Sequence, residues 1–145
     1  MHHVTLSLGS NLGSRRENLQ RAILALQERA GSVVGCSAFL TTEPWGFESE
    51  HPFLNAAVRL ATVLTPRQLL LVTQEIEREL GRTAKSSDGI YHDRVIDIDI
   101  LTYDDVELDE TFLHEGRALT LHIPHPLMKE RDFVMVPLRQ IWFDL

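Results

Sequence analysis

Two stretches of helical periodicity, each bracketed by strand patterns, constrain this chain more than any other feature. Ser14-Arg15-Arg16-Glu17 has the form of a capping box, and behind it Leu19, Ala22, Ile23, Leu26 and Ala30 recur at helical spacing until Gly31 stops them. Thr65-Pro66-Arg67-Gln68 opens a second helix with a cap and a proline at the first helical position; Leu69, Val72, Ile76 and Leu80 form its apolar stripe, and Gly81 ends it. Before the first helix, Val4, Leu6 and Leu8 alternate with Thr5 and Ser7, the period of a half-buried strand. Strand patterns at Val33–Thr41 and Phe53–Val63 lie between the helices, joined by a loop over Thr42–Pro52. A polar loop (Arg82–Asp93) then feeds a further strand, the one that carries Asp97 and Asp99. The order β-α-β-β-α-β predicts an α+β fold, a ferredoxin-like sandwich with an antiparallel sheet and its helices on one face. From Asp104 onward the chain reads as a C-terminal β-excursion, an irregular IPHP segment and one final short strand. With 145 residues and no repeat or linker, residues 1–145 form a single expected domain.

The strand within Asp93–Leu101, DRVIDIDIL, sorts its side chains onto two faces. Ile96, Ile98 and Ile100 share one, Asp97 and Asp99 the other. Adjacent carboxylates repel unless solvent counter-ions, an arginine or a metal sits between them. Magnesium suits such a pair, since it takes carboxylate oxygens and completes its shell with substrate phosphates. Arg82 and Arg94, on either side of the preceding loop, are placed to clamp phosphates. In the third strand Leu54, Ala56, Val58 and Leu60 form the row that meets the helices, so Phe53 and Asn55 fall on the same face as the aspartates. Two carboxylates, an amide and an aromatic ring on one sheet face make a binding floor.

Other motifs carry less. Gly9-Ser10-Asn11-Leu12-Gly13 lacks the ending of a phosphate-binding P-loop and reads as a tight strand-to-helix turn. His122-x-x-His125 has no companion pair for zinc. Met1-His2-His3 reads as a frayed end and Cys36 as a core residue. A lone cysteine excludes a disulfide framework, and no apolar run reaches membrane-spanning length, so a cytoplasmic protein is expected. The net charge of −7 argues against nucleic acid as a partner. The cations gather in the second half, around the aspartates, which suits a small polyanion.

Taken together, LSLGSNLG, TTEPWG, FLNAAV, TQEIERELGR, DRVIDIDIL and IPHPLMKERDFVMVPL, in this order over nearly the whole chain, resemble the 6-hydroxymethyl-7,8-dihydropterin pyrophosphokinase family. The resemblance implies transfer of the β,γ-diphosphate of ATP to the pterin hydroxymethyl group with release of AMP, in folate biosynthesis. It implies two magnesium ions on Asp97 and Asp99, with Arg82 and Arg94 neutralising the moving diphosphate. Gln74, Glu77, Lys85, His125 and Arg131 would serve ATP. The pterin would lie between Phe53 and Phe133, its hydrogen-bonding edge read by Asn55 and the backbone around Thr42, Pro44 and Trp45. Residues 82–93 would act as a lid, with Arg82 and Lys85 on the phosphates and Tyr91 over the pterin. ATP and the pterin are the expected partners of a monomer, with no membrane partner. Another two-metal nucleotide enzyme, or a small-molecule sensor on the same fold, is the alternative from the residues alone.

Overall fold

The alternation near the N-terminus becomes β1 (His2–Ser10), the central strand of an antiparallel sheet. The computed structural model describes residues 1–42, 52–81 and 95–142. β1 pairs on one side with β4 (Phe53–Thr62) and on the other with β5 (Asp97–Tyr103). β2 (Ser32–Cys36) flanks β4, giving the order β2-β4-β1-β5, and the short β3 (Leu40–Thr42) pairs further along the same edge of β4.

Two helices, α1 (Arg15–Arg29) and α2 (Pro66–Glu79), cover one sheet face. Val4, Leu6 and Leu8 of β1, Leu54, Ala56, Val58 and Leu60 of β4, and Ile98 and Ile100 of β5 pack there with Leu19, Leu26, Leu69 and Ile76. Each of the valine, leucine and isoleucine side chains contributes about 1.5–3 kcal/mol on leaving water. Pairing keeps the rows in step, since Leu8 lies opposite Ala56 on one side and Ile98 on the other. Between Thr5 and Leu6 the β1/β5 register slips, so Tyr103 joins the helix-facing core while Leu101 packs on the opposite face.

That opposite face is where the fold departs from expectation. The tail ends in a helix, α3 (Asp132–Trp142), instead of a short strand. Val134, Leu138 and Ile141, spaced four and three apart, bury against Ala57 and Leu101 together with Met128. Helices therefore occupy both faces, and among the described residues α3 covers only part of the second. The local run Phe133–Pro137 favours a strand by its β-branched and aromatic content; burial of the 3.6-period row overrides it.

Further departures are local. The pattern at Val33–Thr41 splits into β2 and β3, with a register shift between Val33 and Gly35. Ser37 bridges the gap, its N–H donating to the Ala57 carbonyl and its Oγ accepting from the Ala57 N–H (2.9 and 2.8 Å). The capping box at Ser14 does not form; Glu17 pairs with Arg21 at 2.5 Å, while Asn18 Nδ2 donates to Ser10 Oγ and the Leu12 carbonyl (3.1 and 2.9 Å). At Thr65 both halves of the box are present. His2 and His3 belong to β1 and are tied down: the His3 N–H donates to Asp104 Oδ1 at 2.7 Å, and His2 Nδ1 lies 2.7 Å from Oδ2. Cys36 is exposed, not core.

The β-excursion is a hairpin of β6 (Leu108–His114) and β7 (Arg117–Ile123). Its two-residue turn, Glu115-Gly116, has positive φ at both positions, as a type I′ turn requires. Arg67 on α2 holds the hairpin through Nε and Nη2 bonds to Glu110 (2.8 and 3.1 Å), with its Cζ 4.6 Å from the Phe112 ring centre. The Ile123–Pro124 peptide that follows β7 is cis.

Candidate active site

The part of the second face that lies beyond α3 is built by register. Gly9 lies opposite Asn55 on β4 and Asp97 on β5; two residues earlier, Ser7 lies opposite Ala57 and Asp99. Directly paired residues share a face, so Asn55, Gly9 and Asp97 form one row, with Ala57, Ser7 and Asp99 in the next. Strand spacing puts the backbones of Asn55 and Asp97 about 10 Å apart and those of Asp97 and Asp99 about 7 Å apart.

Gly9 sets the shape of this floor. A Cβ there would stand 2.9 Å from Asn55 Oδ1 and 3.3 Å from Phe53 Cδ1, so the amide and ring lean over β1 where a side chain is missing. Asn55 is buried; Phe53, Asp97 and Asp99 are half-buried. Thr42 lies opposite Phe53 on β3, which brings its backbone to the same end of the sheet.

The approach to α3 borders the floor. Phe133 packs against the cluster that contains Ala57 and Leu101, each two residues along its strand from Asn55 or Asp99. Arg131 is buried at 4% exposure, with its Cζ 5.7 Å from the Phe133 ring centre, and burial pushes its pKa down. His125 is held by its own N–H, which donates to the Leu101 carbonyl at 2.9 Å, and its Nδ1 accepts from the Leu127 N–H at 3.3 Å. With Nδ1 accepting, the neutral ring carries its proton on Nε2. Burial lowers the imidazole pKa; the charge of Asp97 opposes that, and His122 adds to it.

Phe53, Asn55, Asp97, Asp99, Phe133, Arg131 and His125 thus gather on or beside one face. Gln74 and Glu77 do not share it in the same way. Gln74 lines a cleft of about 430 Å³ between α2 and the β6–β7 hairpin, beside Arg78, His114 and Arg117. Glu77 is 3% exposed, and its Oε2 accepts the Ile98 N–H at 2.9 Å. Pro44, Trp45, Arg82, Lys85, Tyr91 and Arg94 lie outside the described residues, as does the loop expected to act as a lid. Ser7 and Gly9 carry no signal by residue type, although their parity opposite Leu6 and Leu8 assigns them to this face.

A sequence model of the 7,8-dihydro-6-hydroxymethylpterin-pyrophosphokinase family matches residues 5–143. A 2-amino-4-hydroxy-6-hydroxymethyldihydropteridine pyrophosphokinase of Porphyromonas gingivalis is 52% identical over 138 residues, covering 95% of this chain and 89% of that protein. The enzyme of the same name from Bacillus subtilis is 39% identical over 139 residues, covering 94% and 75%. Among solved structures, an HPPK-DHPS in complex with substrates superposes with a TM-score of 0.73 at 16% identity, over 97% of this chain and 40% of that one. The Plasmodium falciparum HPPK-DHPS with pteroate gives 0.73 at 15% identity, over 95% and 38%. At such identities the structural likeness concerns the fold, a mixed α/β arrangement with an antiparallel sheet and, among the described residues, three α-helices.

Fold and sequence therefore define an enzyme of the pyrophosphokinase class, a transferase. The chain belongs to the 7,8-dihydro-6-hydroxymethylpterin-pyrophosphokinase family.

Proposed function

We propose that the protein transfers the β,γ-diphosphate of ATP to the hydroxymethyl group of 6-hydroxymethyl-7,8-dihydropterin, releasing AMP, as a single-domain cytoplasmic monomer of folate biosynthesis. The observation that carries this reading is the row Asn55–Gly9–Asp97: an amide suited to a pterin edge stands two strands from a carboxylate suited to a metal–phosphate group. The ferredoxin-like arrangement is part of the proposal, supported by the order β2-β4-β1-β5 with antiparallel neighbours and both crossover helices on one face.

Magnesium fits the donors present. Asp97 and Asp99 are hard oxygen ligands on one face, half-buried and next-but-one in sequence. Among the described residues, no group of three or more His, Cys, Asp or Glu side chains forms a ready cage, which suits ions that take further ligands from phosphates. These two aspartates would hold two ions, whose chemistry when bound is to neutralise phosphate charge and acidify the attacking hydroxyl.

The chain's own residues supply position. Phe53 and Phe133 would hold the pterin ring between them, while the Asn55 amide and the Thr42 backbone fix its orientation. The His125 Nε2–H would donate to a phosphate oxygen, and Arg131 would add positive charge beside it. Gln74 would meet the nucleotide from α2, and Arg82, Lys85 and Arg94 would clamp the transferred group, with Pro44, Trp45 and Tyr91 on the pterin side. Phosphoryl transfer needs mainly this in-line placement and charge neutralisation, so no general base is required. Turnover of ATP with magnesium and hydroxymethyl-dihydropterin tests the reading: AMP should appear, and ADP in its place would overturn it.

A further inference from the structure

We propose that Glu77 is a positioning residue: from α2 its carboxylate fixes the peptide between Asp97 and Asp99 and so sets the separation of the two metal-holding side chains. The inference rests on those aspartates being the metal site.

Three observations carry it. β5 ends the strand order, so among the described residues β1 is its sheet neighbour on one side only. An edge strand of this kind leaves alternate backbone groups facing away from the ladder. Ile98 is the residue whose N–H turns outward, and its acceptor is Glu77 Oε2 at 2.9 Å. By the alternation of an antiparallel ladder, the backbone groups of Asp97 and Asp99 then turn inward, toward their register partners Gly9 and Ser7. The Asp-Ile-Asp segment is thereby held from both sides, by β1 at the aspartates and by Glu77 at the residue between them.

The third observation is burial. At 3% exposure Glu77 has lost nearly all its water, a state a carboxylate tolerates only with hydrogen-bond donors aimed at it. Water could satisfy an exposed edge amide at no such expense. A buried acid at this point gives a strong, directional bond to one peptide group. The outcome matters because the aspartates are next-but-one neighbours: tilting the Ile98 peptide swings both carboxylates, and a misplacement of about 1 Å at a reacting centre costs on the order of a hundredfold in rate.

Positioning differs from a direct electrostatic role in what it demands of the side chain. Glu77→Gln keeps an oxygen acceptor at the same reach and removes the charge. Glu77→Asp keeps the charge and withdraws the acceptor by one methylene. Glu77→Leu removes both. Each purified variant is titrated with Mn2+ in the presence of a non-cleavable ATP analogue, bound metal is read by electron paramagnetic resonance, and exchange of the Ile98 amide is followed by NMR. Positioning predicts that Gln retains most of the wild-type Mn2+ affinity and a protected Ile98 amide. Asp and Leu should lose about 10- to 100-fold in affinity, the usual range when a partner that orients metal ligands is removed, and the Ile98 amide should exchange faster. In turnover the same two variants should lose kcat with the pterin KM unchanged. If Asp outperforms Gln, the carboxylate acts through its charge and the proposal is wrong. Equal, unimpaired Mn2+ binding in all three also overturns it. Should Leu fail to fold, the Gln-against-Asp order still decides. Metal affinity and amide exchange do not depend on which reaction is catalysed, so absence of AMP formation by the wild type would sink the proposed function and leave this test standing.

Discussion

The two faces of the central sheet are made by the same strands and differ in almost everything else. On the α1/α2 side, Val4, Leu6, Leu8, Leu54, Ala56, Val58 and Leu60 are buried in one continuous apolar cluster. On the other side, α3 packs against Ala57 and Leu101, and the same and neighbouring rows hold Phe53, Asn55, Asp97 and Asp99. Alternating residues of β4 and β5 thus pack the core on one face and, on the proposed reading, serve chemistry on the other. Strand parity lets one backbone carry both tasks, because a substitution on one face leaves the packing of the other in place.

The largest separation of the two faces should come from the carboxylates. Asp97→Asn and Asp99→Asn should each reduce turnover about a thousandfold, equivalent to about 4 kcal/mol of lost transition-state stabilisation, with thermal unfolding unchanged. Near-full activity in either variant at ordinary magnesium would break the division between faces. The converse change is Leu6→Ala, in a side chain with no exposure. It should cost about 2–5 kcal/mol in denaturant unfolding while turnover per folded molecule stays close to wild type.

Smaller effects sharpen the map of the open face. Phe53→Ala and Phe133→Ala should each weaken pterin binding by roughly 1 kcal/mol or more and leave the ATP analogue's affinity unchanged, as calorimetry can show. Equal losses for both ligands would mean a general loosening. The smallest expected effect lies far from the floor, at Asp104. Hydrogen bonding from the His3 N–H, with help from His2, holds its pKa below the ordinary carboxylate value. A carboxyl with a depressed folded pKa contributes stability above its unfolded value and loses it as pH falls through the folded value. Asp104→Asn should therefore flatten the acid side of the stability-against-pH curve, below about pH 4, and leave neutral-pH activity untouched.

Much of this organisation is legible in the residues. The DRVIDIDIL strand announces its faces because period two is a local property, and the Phe53/Asn55 parity follows from the same rule. The Thr65 cap is local too, and it forms as the pattern requires. What escapes is decided by contacts distant in sequence. Residues 133–137 read as strand by propensity, yet the row Val134, Leu138, Ile141 becomes a helix face because Ala57 and Leu101 are there to receive it. Ser14 has the right neighbours for a capping box, but Arg21 takes Glu17 and Asn18 ties the turn instead. Gly9 looks like any turn-proximal glycine until the register sets Asn55 and Phe53 against it. The bond from Ile98 to Glu77 likewise joins residues 21 apart in sequence, and no helical or strand period encodes it.

The central claim, that the part of the second face beyond α3 is the shared floor for both substrates, is tested most directly by NMR amide shifts. The free protein is titrated with magnesium and a non-cleavable ATP analogue, then with hydroxymethyl-dihydropterin. The amides of Gly9, Phe53, Asn55 and Asp97 to Asp99 should move, and the pterin step should affect Gly9, Phe53 and Asn55 most. Those of Leu19, Leu26 and Leu69, beneath the α1/α2 side, should stay in place. Shifts confined to the helical side or to the β6–β7 cleft, with the Asn55–Gly9–Asp97 row unmoved at saturation, would contradict it.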